Sequence, residues 1–177
     1  MSTLVTIHVI LISIILVVFI VGLFLPKRKA VRRSIEMNAL PEEIWGIATK
    51  PEHQPRWRGG LKKIELRDRT PGREIWVEYP ASGAAMTYKT VDSAPFRRYE
   101  TEMAGSKGMK THRVLEIERQ SVDMTQVHVT EYVDVKNPFT RVVAYLQFDP
   151  GTAIDLYLRE LSAEAARISS KLESQTS

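Results

Sequence analysis

The spacing of apolar residues changes twice along this chain and divides the sequence into three parts. Residues 4–25 form an apolar run without Asp, Glu, Lys or Arg, interrupted by Thr6, His8, Ser13 and Gly22. Residues 61–135 consist of short segments in which apolar and polar residues alternate, with turn residues between them. After residue 138, apolar residues recur at steps of three and four. These spacings predict an apolar helix, then a series of strands, then C-terminal helices.

The apolar run is long enough to cross a membrane as one helix. At ~1.5 Å per residue it would measure roughly 33 Å, and a hydrocarbon core is ~30 Å thick. A signal peptide would need a basic start and a small-residue cleavage site, but residues 1–3 have no basic side chain and residues 23–26 have no A-x-A pattern. A helix that packs on the core of a globular protein usually has one polar stripe that faces water, and this run has none. Residues 1–26 are therefore predicted to be a transmembrane helix.

A basic collar, residues 27–33, follows this helix and contributes five positive charges: Lys27, Arg28, Lys29, Arg32 and Arg33. Positive charge beside a span predicts a single-pass protein with its N-terminus outside and its soluble domain in the cytoplasm. The chain has 25 Lys and Arg and 21 Asp and Glu, so without the collar 20 basic residues face 21 acidic ones. A near-neutral body argues against nucleic acid as a partner and assigns the basic charge to a bilayer surface.

Residues 34–173 are predicted to form one domain, followed by a polar tail, residues 174–177. A strand over Arg33–Asn38 precedes a helix that opens at Pro41, a favourable first-turn residue. A short helix over Phe139–Phe148 and a long helix over Thr152–Glu173 close the domain. Between the helix at Pro41 and these C-terminal helices we expect an antiparallel meander of six strands: Leu61–Arg69, Arg73–Tyr79, Ala84–Asp92, Phe96–Met103, Met109–Arg119 and Thr125–Val135. The fold class is α+β.

Two motifs resemble the SRPBCC superfamily, which includes the polyketide cyclases. Ser34-Ile35-Glu36-Met37 running into Pro41-Glu42-Glu43-Ile44-Trp45 is similar to the family's strand followed by P-E-x-V/I-W. Pro55-Arg56-Trp57 before Leu61 is similar to its Trp before the second strand. The resemblance implies a START-like, helix-grip fold, with a curved antiparallel sheet wrapped on a long C-terminal helix, here preceded by one transmembrane helix. It also implies a cavity between sheet and helix that holds an apolar ligand.

The sequence shows no constellation of catalytic or metal-binding residues. The chain has no cysteine, which excludes disulfides and thiolate sites. Its histidines, His8, His53, His112 and His128, form neither an H-x-H nor an H-E-x-x-H spacing. His112 and His128 are out of phase with the apolar residues of their strands, so we expect both to face water. We therefore expect no metal, no cofactor, no catalytic residues and no enzyme activity.

The inward positions of the predicted strands, with two from the last helix, give a candidate ligand cavity. Two of these positions, Arg113 and Glu131, are charged. If Gln120 lies opposite Met124, Arg113 lies opposite Glu131, and the pair could anchor a ligand's polar headgroup. Alternatively, both side chains reach solvent at the end of the sheet, and most of the apolar positions serve as core. The candidates are Ile75, Val77, Tyr79, Met86, Tyr88, Tyr99, Met103, Arg113, Leu115, Ile117, Val127, Val129, Glu131, Leu158 and Leu161.

These observations favour a membrane-anchored protein that binds a hydrophobic or lipid-like small molecule. Its expected partners are the lipid bilayer and that ligand. Two alternatives stay open at this point. One is a cyclase-like or hydrolase-like enzyme that acts on an apolar substrate. The other is a regulatory module of the same fold that binds a protein partner.

Overall fold

The computed structural model describes residues 2–81, 83–104, 109–147 and 149–176. Four α-helices, one short 3-10 helix (Pro51–Arg56) and seven strands follow one another in the order that the apolar spacing predicts. The helices are α1 (Ser2–Phe24), α2 (Pro41–Ala48), α3 (Pro138–Gln147) and α4 (Pro150–Thr176). The strands are β1 (Arg28–Met37), β2 (Leu61–Asp68), β3 (Ile75–Pro80), β4 (Met86–Ala94), β5 (Arg98–Ala104), β6 (Met109–Arg119) and β7 (Thr125–Val135).

The strands form one curved antiparallel sheet in the order β1-β7-β6-β5-β4-β3-β2. Strands β2 to β7 are therefore the expected meander, and β1 joins the sheet beside β7. One face of the sheet is covered by α2 and α4, and the core lies between these layers. Its fully buried residues include Ile44, Val127, Val129, Ile154 and Leu161. This arrangement confirms the predicted α+β, START-like fold.

Strand β1 begins at Arg28, five residues earlier than predicted, so most of the basic collar is part of the sheet. Arg28 pairs with Asp134 at 3.9 Å and Arg32 with Glu116 at 3.3 Å, both on the outer face. Arg33 lies on the inner side and meets Asp155 of α4 at 3.3 Å. The charge of the collar predicts a segment at the bilayer surface, which stays a prediction; in the structure, carboxylates of β7, β6 and α4 pair with three of its five basic residues.

Strand β3 is turned the opposite way from the prediction. Trp76 and Glu78 are buried against the inner side, and the three predicted inward residues, Ile75, Val77 and Tyr79, occupy the alternate, more exposed positions. Tyr79 donates a hydrogen bond to Glu65 at 2.8 Å on that outer side. The alternation of β3 is ambiguous because both faces carry large apolar side chains, and a choice between faces reverses every residue of the strand.

Helix α4 begins at Pro150 and runs to Thr176, so residues 174–176 of the predicted tail are helical, while Ser177 lies outside the described residues. Asp149 caps its start by accepting hydrogen bonds from the Gly151 amide (3.0 Å) and the Thr152 hydroxyl (3.1 Å). These hydrogen bonds, the Gly151 amide first, lower the pKa of Asp149.

Helix α1 is long and apolar enough to cross a membrane, and no residue of its most apolar stretch is buried in protein. Its last turns contact α3. The rings of Phe19 and Phe139 are 5.4 Å apart, and a Cβ on Gly22 would overlap the Pro138 carbonyl oxygen. Arg141 of α3 is 2% exposed and donates hydrogen bonds to the carbonyls of Gly22 (2.6 Å) and Leu25 (3.1 Å). The two helices therefore meet in a close, hydrogen-bonded joint.

Candidate functional site: a cavity with a charged floor

A cavity of about 310 Å³ lies between the inner face of the sheet and the first turns of α4. Its mouth is defined here by four exposed or half-buried apolar side chains, those of Met86, Met103, Met109 and Leu156, and Gly60, Ala153 and Glu160 also line the cavity. Each methionine lies at or next to the end of its strand, and Leu156 is 54% exposed. Its floor is polar and consists of Arg58, from the connection before β2, Tyr88 of β4, Arg113 of β6, Glu131 of β7 and Tyr157 of α4. The cavity thus combines an adaptable apolar entrance with buried charge.

The cavity opens at the end of the sheet from which α1 departs. Because neighbouring strands are antiparallel, the start of β1, the end of β7, the start of β6 and the end of β5 all lie at the same end of the sheet. The Val135 amide donates to the Lys27 carbonyl at 2.9 Å, and Val135 pairs with Met109. The Met109 side of the mouth is therefore one strand pair away from the residues that connect α1 to the sheet.

Arg113 and Glu131 face each other across β6 and β7, which confirms the predicted register. The Arg113 Nε donates to Glu131 Oε1 at 2.7 Å, and Glu131 is only 4% exposed. Burial alone would lower the pKa of Arg113, but the Glu131 carboxylate outweighs it, so the pKa lies above its ordinary value. The guanidinium stays charged at every physiological pH, and the predicted pair is part of the cavity wall.

A second buried pair, Arg58 and Glu78, was not predicted. Arg58 donates to Glu78 at 2.9 Å and to Gln54 at 2.6 Å, and Trp76 Nε1 donates to the same Glu78 oxygen at 3.2 Å. Glu78 is 3% exposed. The reversed face of β3 explains the omission, since Glu78 was expected to point outward. The sequence contains both hydrogen-bond donors, Arg58 and Trp76. Arg58 is 20 residues away from Glu78 in the chain, so only the fold brings these two side chains together.

The ring of Tyr157 lies near both guanidinium groups. The Arg113 Cζ is 4.9 Å from the ring centroid and the Arg58 Cζ is 5.8 Å from it, both within cation–π range. Burial is the main reason that the pKa of Tyr157 is raised, and burial raises the pKa of Tyr88 to about 12. Both phenols are therefore protonated at neutral pH and act as hydrogen-bond donors or acceptors, not as anionic bases.

Thr111 offers a polar group to a bound molecule. Its side chain lines the cavity and is buried, and its Oγ1 has no hydrogen-bond partner among the residues that the structure describes. A buried hydroxyl without a partner costs roughly 1–3 kcal/mol. A ligand hydroxyl, carbonyl or carboxylate beside Oγ1 would remove that cost.

The structure brings five of the predicted cavity residues to the cavity wall, and ligand binding by them stays a prediction: Met86, Tyr88, Met103, Arg113 and Glu131. Seven others belong to the hydrophobic core: Tyr99, Leu115, Ile117, Val127, Val129, Leu158 and Leu161. The sequence missed Arg58, Thr111, Leu156, Tyr157 and other wall residues. Apolar alternation cannot separate core from cavity, because the same inward positions supply both.

The two histidines of the long hairpin are half-buried. His112 contacts Glu100 at 2.8 Å and His128 contacts the Ser34 hydroxyl at 2.6 Å. Both lie on the outer side of the sheet, away from the cavity. They are less exposed to water than we expected, because neighbouring side chains pack and form hydrogen bonds with them. In the part of the chain that the structure describes, no group of three His, Cys, Asp or Glu residues is arranged to hold a metal ion.

Comparison with known proteins identifies the family. Residues 28–163 match the family model described as polyketide cyclase / dehydrase and lipid transport. The chain belongs to this family. The match begins with β1 and ends within α4, so it contains the cavity and leaves α1 outside. No curated protein is similar enough in sequence to match the chain.

Solved structures share the fold at low sequence identity. Norcoclaurine synthase from Thalictrum flavum is 14% identical, with a TM-score of 0.68 over 80% of this chain and 96% of that one. A START superfamily protein from Mycobacterium smegmatis is 19% identical, with a TM-score of 0.60 over 78% and 98%. The di-domain aromatase/cyclase BexL is 8% identical, with a TM-score of 0.68 over 82% of this chain, which spans about half (52%) of BexL.

Proposed function

We propose that this protein is a membrane-anchored binding protein that holds a hydrophobic or lipid-like small molecule between its sheet and α4. The observation that carries the proposal is the combination in one cavity of an apolar mouth with the buried Arg113–Glu131 pair and with Arg58, whose partner Glu78 lies behind the wall. An apolar ligand body would contact the methionines and Leu156, and a polar end would approach Arg113 and Thr111.

The size of the cavity supports a compact ligand. Ligand sites generally measure ~300–1,000 Å³, and this cavity, at about 310 Å³, is at the small end of that range. It suits a fused-ring molecule or one acyl chain better than a phospholipid with two chains. Methionine side chains are flexible and polarisable, so the mouth can adjust to ligands that differ in shape.

The membrane part of the proposal is supported by α1. A helix of this length and composition is stable in a hydrocarbon core, because its backbone groups are hydrogen-bonded internally. Basic residues that follow it, Lys27, Arg28 and Lys29, favour an N-terminus outside and the domain in the cytoplasm. The cavity would then collect its ligand at or near the cytoplasmic leaflet.

A cyclase-like enzyme is the second candidate, favoured by two tyrosines beside buried charge and by the aromatase/cyclases of the same fold. The binding role is preferred for a chemical reason. A general base must be free to accept a proton, whereas Glu131 already accepts a hydrogen bond from a permanently charged guanidinium and the raised pKa values keep Tyr88 and Tyr157 protonated.

Extraction of the purified full-length protein with organic solvent, followed by mass spectrometry, tests this function. We expect an apolar molecule in near-stoichiometric amount. Met103→Trp, which fills the mouth, should remove most of it, while Val91→Trp, at an exposed position on the same sheet, should retain it. Equal amounts from both variants, or a chemically altered product after incubation with the extracted molecule, would contradict a pure binding role.

A further inference from the structure

Helix α3 exposes an apolar face beside the joint with α1. Asn137 caps the helix by accepting hydrogen bonds from the amides of Phe139 (2.9 Å) and Thr140 (3.2 Å), and Pro138 suits the first position. Phe139, Val143 and Leu146 follow one another at steps of four and three, so they share one face. All three are exposed, and Leu146 is 81% exposed.

The joint fixes this face at the end of the apolar helix. Gly22 allows the two backbones to approach closely, and the Phe19 ring contacts Phe139. Arg141 joins four carbonyls: those of Gly22 and Leu25 at the end of α1, and those of Val135 (3.1 Å) and Lys136 (3.0 Å) at the end of β7. Its positive charge also opposes the negative end of the α1 dipole. Helix α3 therefore cannot move far from the last turn of α1.

Charge and aromatic character around α3 suit the surface of a bilayer. Lys27 lies three residues after the end of α1 and is exposed, and the Lys29 Nζ lies 5.6 Å from the Tyr145 ring on α3. Tyrosine is enriched where headgroups meet acyl chains, and lysine beside it is attracted to anionic lipid. The apolar face, Tyr145 and the two lysines thus all lie near the end of a helix that could span a membrane.

We propose that α3 lies in the headgroup region of the bilayer and forms a second membrane contact, with Phe139, Val143 and Leu146 inserted into lipid. This inference rests on the proposed insertion of α1, and it adds a contact that the span alone does not require. An amphipathic helix of this kind inserts its apolar side ~5–10 Å deep. Because Met109 and Val135 are paired at the same end of the sheet, α3 would also hold the cavity mouth close to the membrane surface.

Fluorescent labels on single cysteines test this placement in the full-length protein, since the natural chain has no cysteine to replace. Cysteine is introduced at Leu146 or Val143, at Leu11 in the middle of α1, and at Val122, which is 78% exposed at the far end of the sheet. Each labelled protein is reconstituted in vesicles of phosphatidylcholine and phosphatidylglycerol. Quenching is measured with iodide in the water, with a headgroup nitroxide lipid and with a deep acyl-chain nitroxide lipid.

We expect headgroup nitroxide to quench the labels at Leu146 and Val143 severalfold more than the label at Val122, and iodide to show the opposite order. If Leu11 responds to the deep nitroxide while the α3 labels respond to iodide as Val122 does, the α3 contact is overturned and the anchor stands. Shielding of the α3 labels from all three quenchers would mean a protein covers the face, which also overturns it. If Leu11 responds only to iodide, the membrane part of the proposed function fails as well.

Discussion

At the residue scale, the cavity floor is held by charged pairs that cannot be separated without cost. Glu131 and Glu78 are both almost fully buried, and each accepts a hydrogen bond from one arginine of the floor. The desolvation of such a pair offsets most of its attraction, so the intact pair adds little stability. Loss of one partner leaves a buried charge without compensation. Pairs of this kind therefore fix geometry more than they add free energy.

Arg113→Met is expected to destabilise the protein by roughly 3 kcal/mol, because Glu131 then remains buried without its guanidinium. Glu131→Gln should destabilise it less, since an amide can still accept the hydrogen bond. The double change Arg113→Met with Glu131→Leu should recover much of the loss. Unfolding of the full-length protein in detergent, followed by circular dichroism in urea, measures each difference.

The control is Lys89→Met, which breaks the exposed cross-strand pair Lys89–Glu102 (2.8 Å). Exposed pairs are worth ~1 kcal/mol or less, so this variant should stay close to the natural protein. An Arg113→Met variant as stable as Lys89→Met would show that the pair does not constrain the cavity floor. If Glu131→Gln also left the amount of extracted ligand unchanged, the headgroup role of the pair would be wrong.

At the element scale, the joint between α1 and α3 depends on one arginine. Arg141 is almost fully buried, and the acceptors that the structure gives it are main-chain carbonyls at the end of α1 and at the end of β7. A buried guanidinium is stable there because it satisfies the unpaired carbonyls at the end of a helix, which otherwise lack donors. The connection from α1 to β1, Leu25–Lys27, runs directly beside it.

Arg141→Ala is expected to open this joint and expose the connection to trypsin at Lys27 and Arg28. The loss of several charge-assisted hydrogen bonds should speed cleavage there at least tenfold, which corresponds to ~1.4 kcal/mol. Mass spectrometry of the early fragments measures the rate. Arg159→Ala, at an exposed position on α4, removes one arginine without touching the joint and should leave the rate unchanged. Equal rates in both variants would contradict the proposed role of Arg141.

The sequence predicted individual elements to very different accuracy. Strands β6 and β7 have the predicted limits and register, because the five-residue turn between them sets Gln120 opposite Met124 and so fixes the pairing of the strands. Strand β3 was assigned to the wrong face because Ile75, Val77 and Tyr79 on one side compete with Trp76 on the other. The joint could not be predicted, since Gly22 and Arg141 are 119 residues apart and meet only in the folded chain.

At the scale of the whole molecule, the protein divides into a near-neutral domain and one apolar helix. Arg28, Arg32 and Arg33 pair with carboxylates of the domain, so Lys27 and Lys29 are the collar residues best placed to attract anionic lipid. Strand residues rise ~3.3 Å each, and Arg33 is therefore as much as roughly 20 Å from Lys27 along β1. In the proposed function, attachment to the bilayer would therefore depend mainly on α1.

Leu11→Arg together with Ile15→Arg is expected to release the full-length protein from membranes. Each arginine near the middle of a span costs ~2.5–3.5 kcal/mol, which is enough to prevent stable insertion. Alkaline carbonate extraction of vesicles, followed by centrifugation, measures the fraction released. Two arginines at Val91 and Val122, both exposed on the domain, provide the matched control and should stay in the pellet. A pellet that retains the α1 variant equally well would rule out the anchor.

In the proposed function, the short connection between α1 and β1 also limits where a ligand could travel. Three residues separate Phe24 from Arg28, and a fully extended chain covers ~3.5 Å per residue, so the reach is roughly 10 Å. A domain tethered this closely cannot leave one membrane and dock on another across an open aqueous gap. With α1 inserted, the protein could pass its ligand only to a membrane or a protein that comes within about one domain diameter. Its traffic would be lateral, along the plane of a single bilayer, or across a site of close apposition.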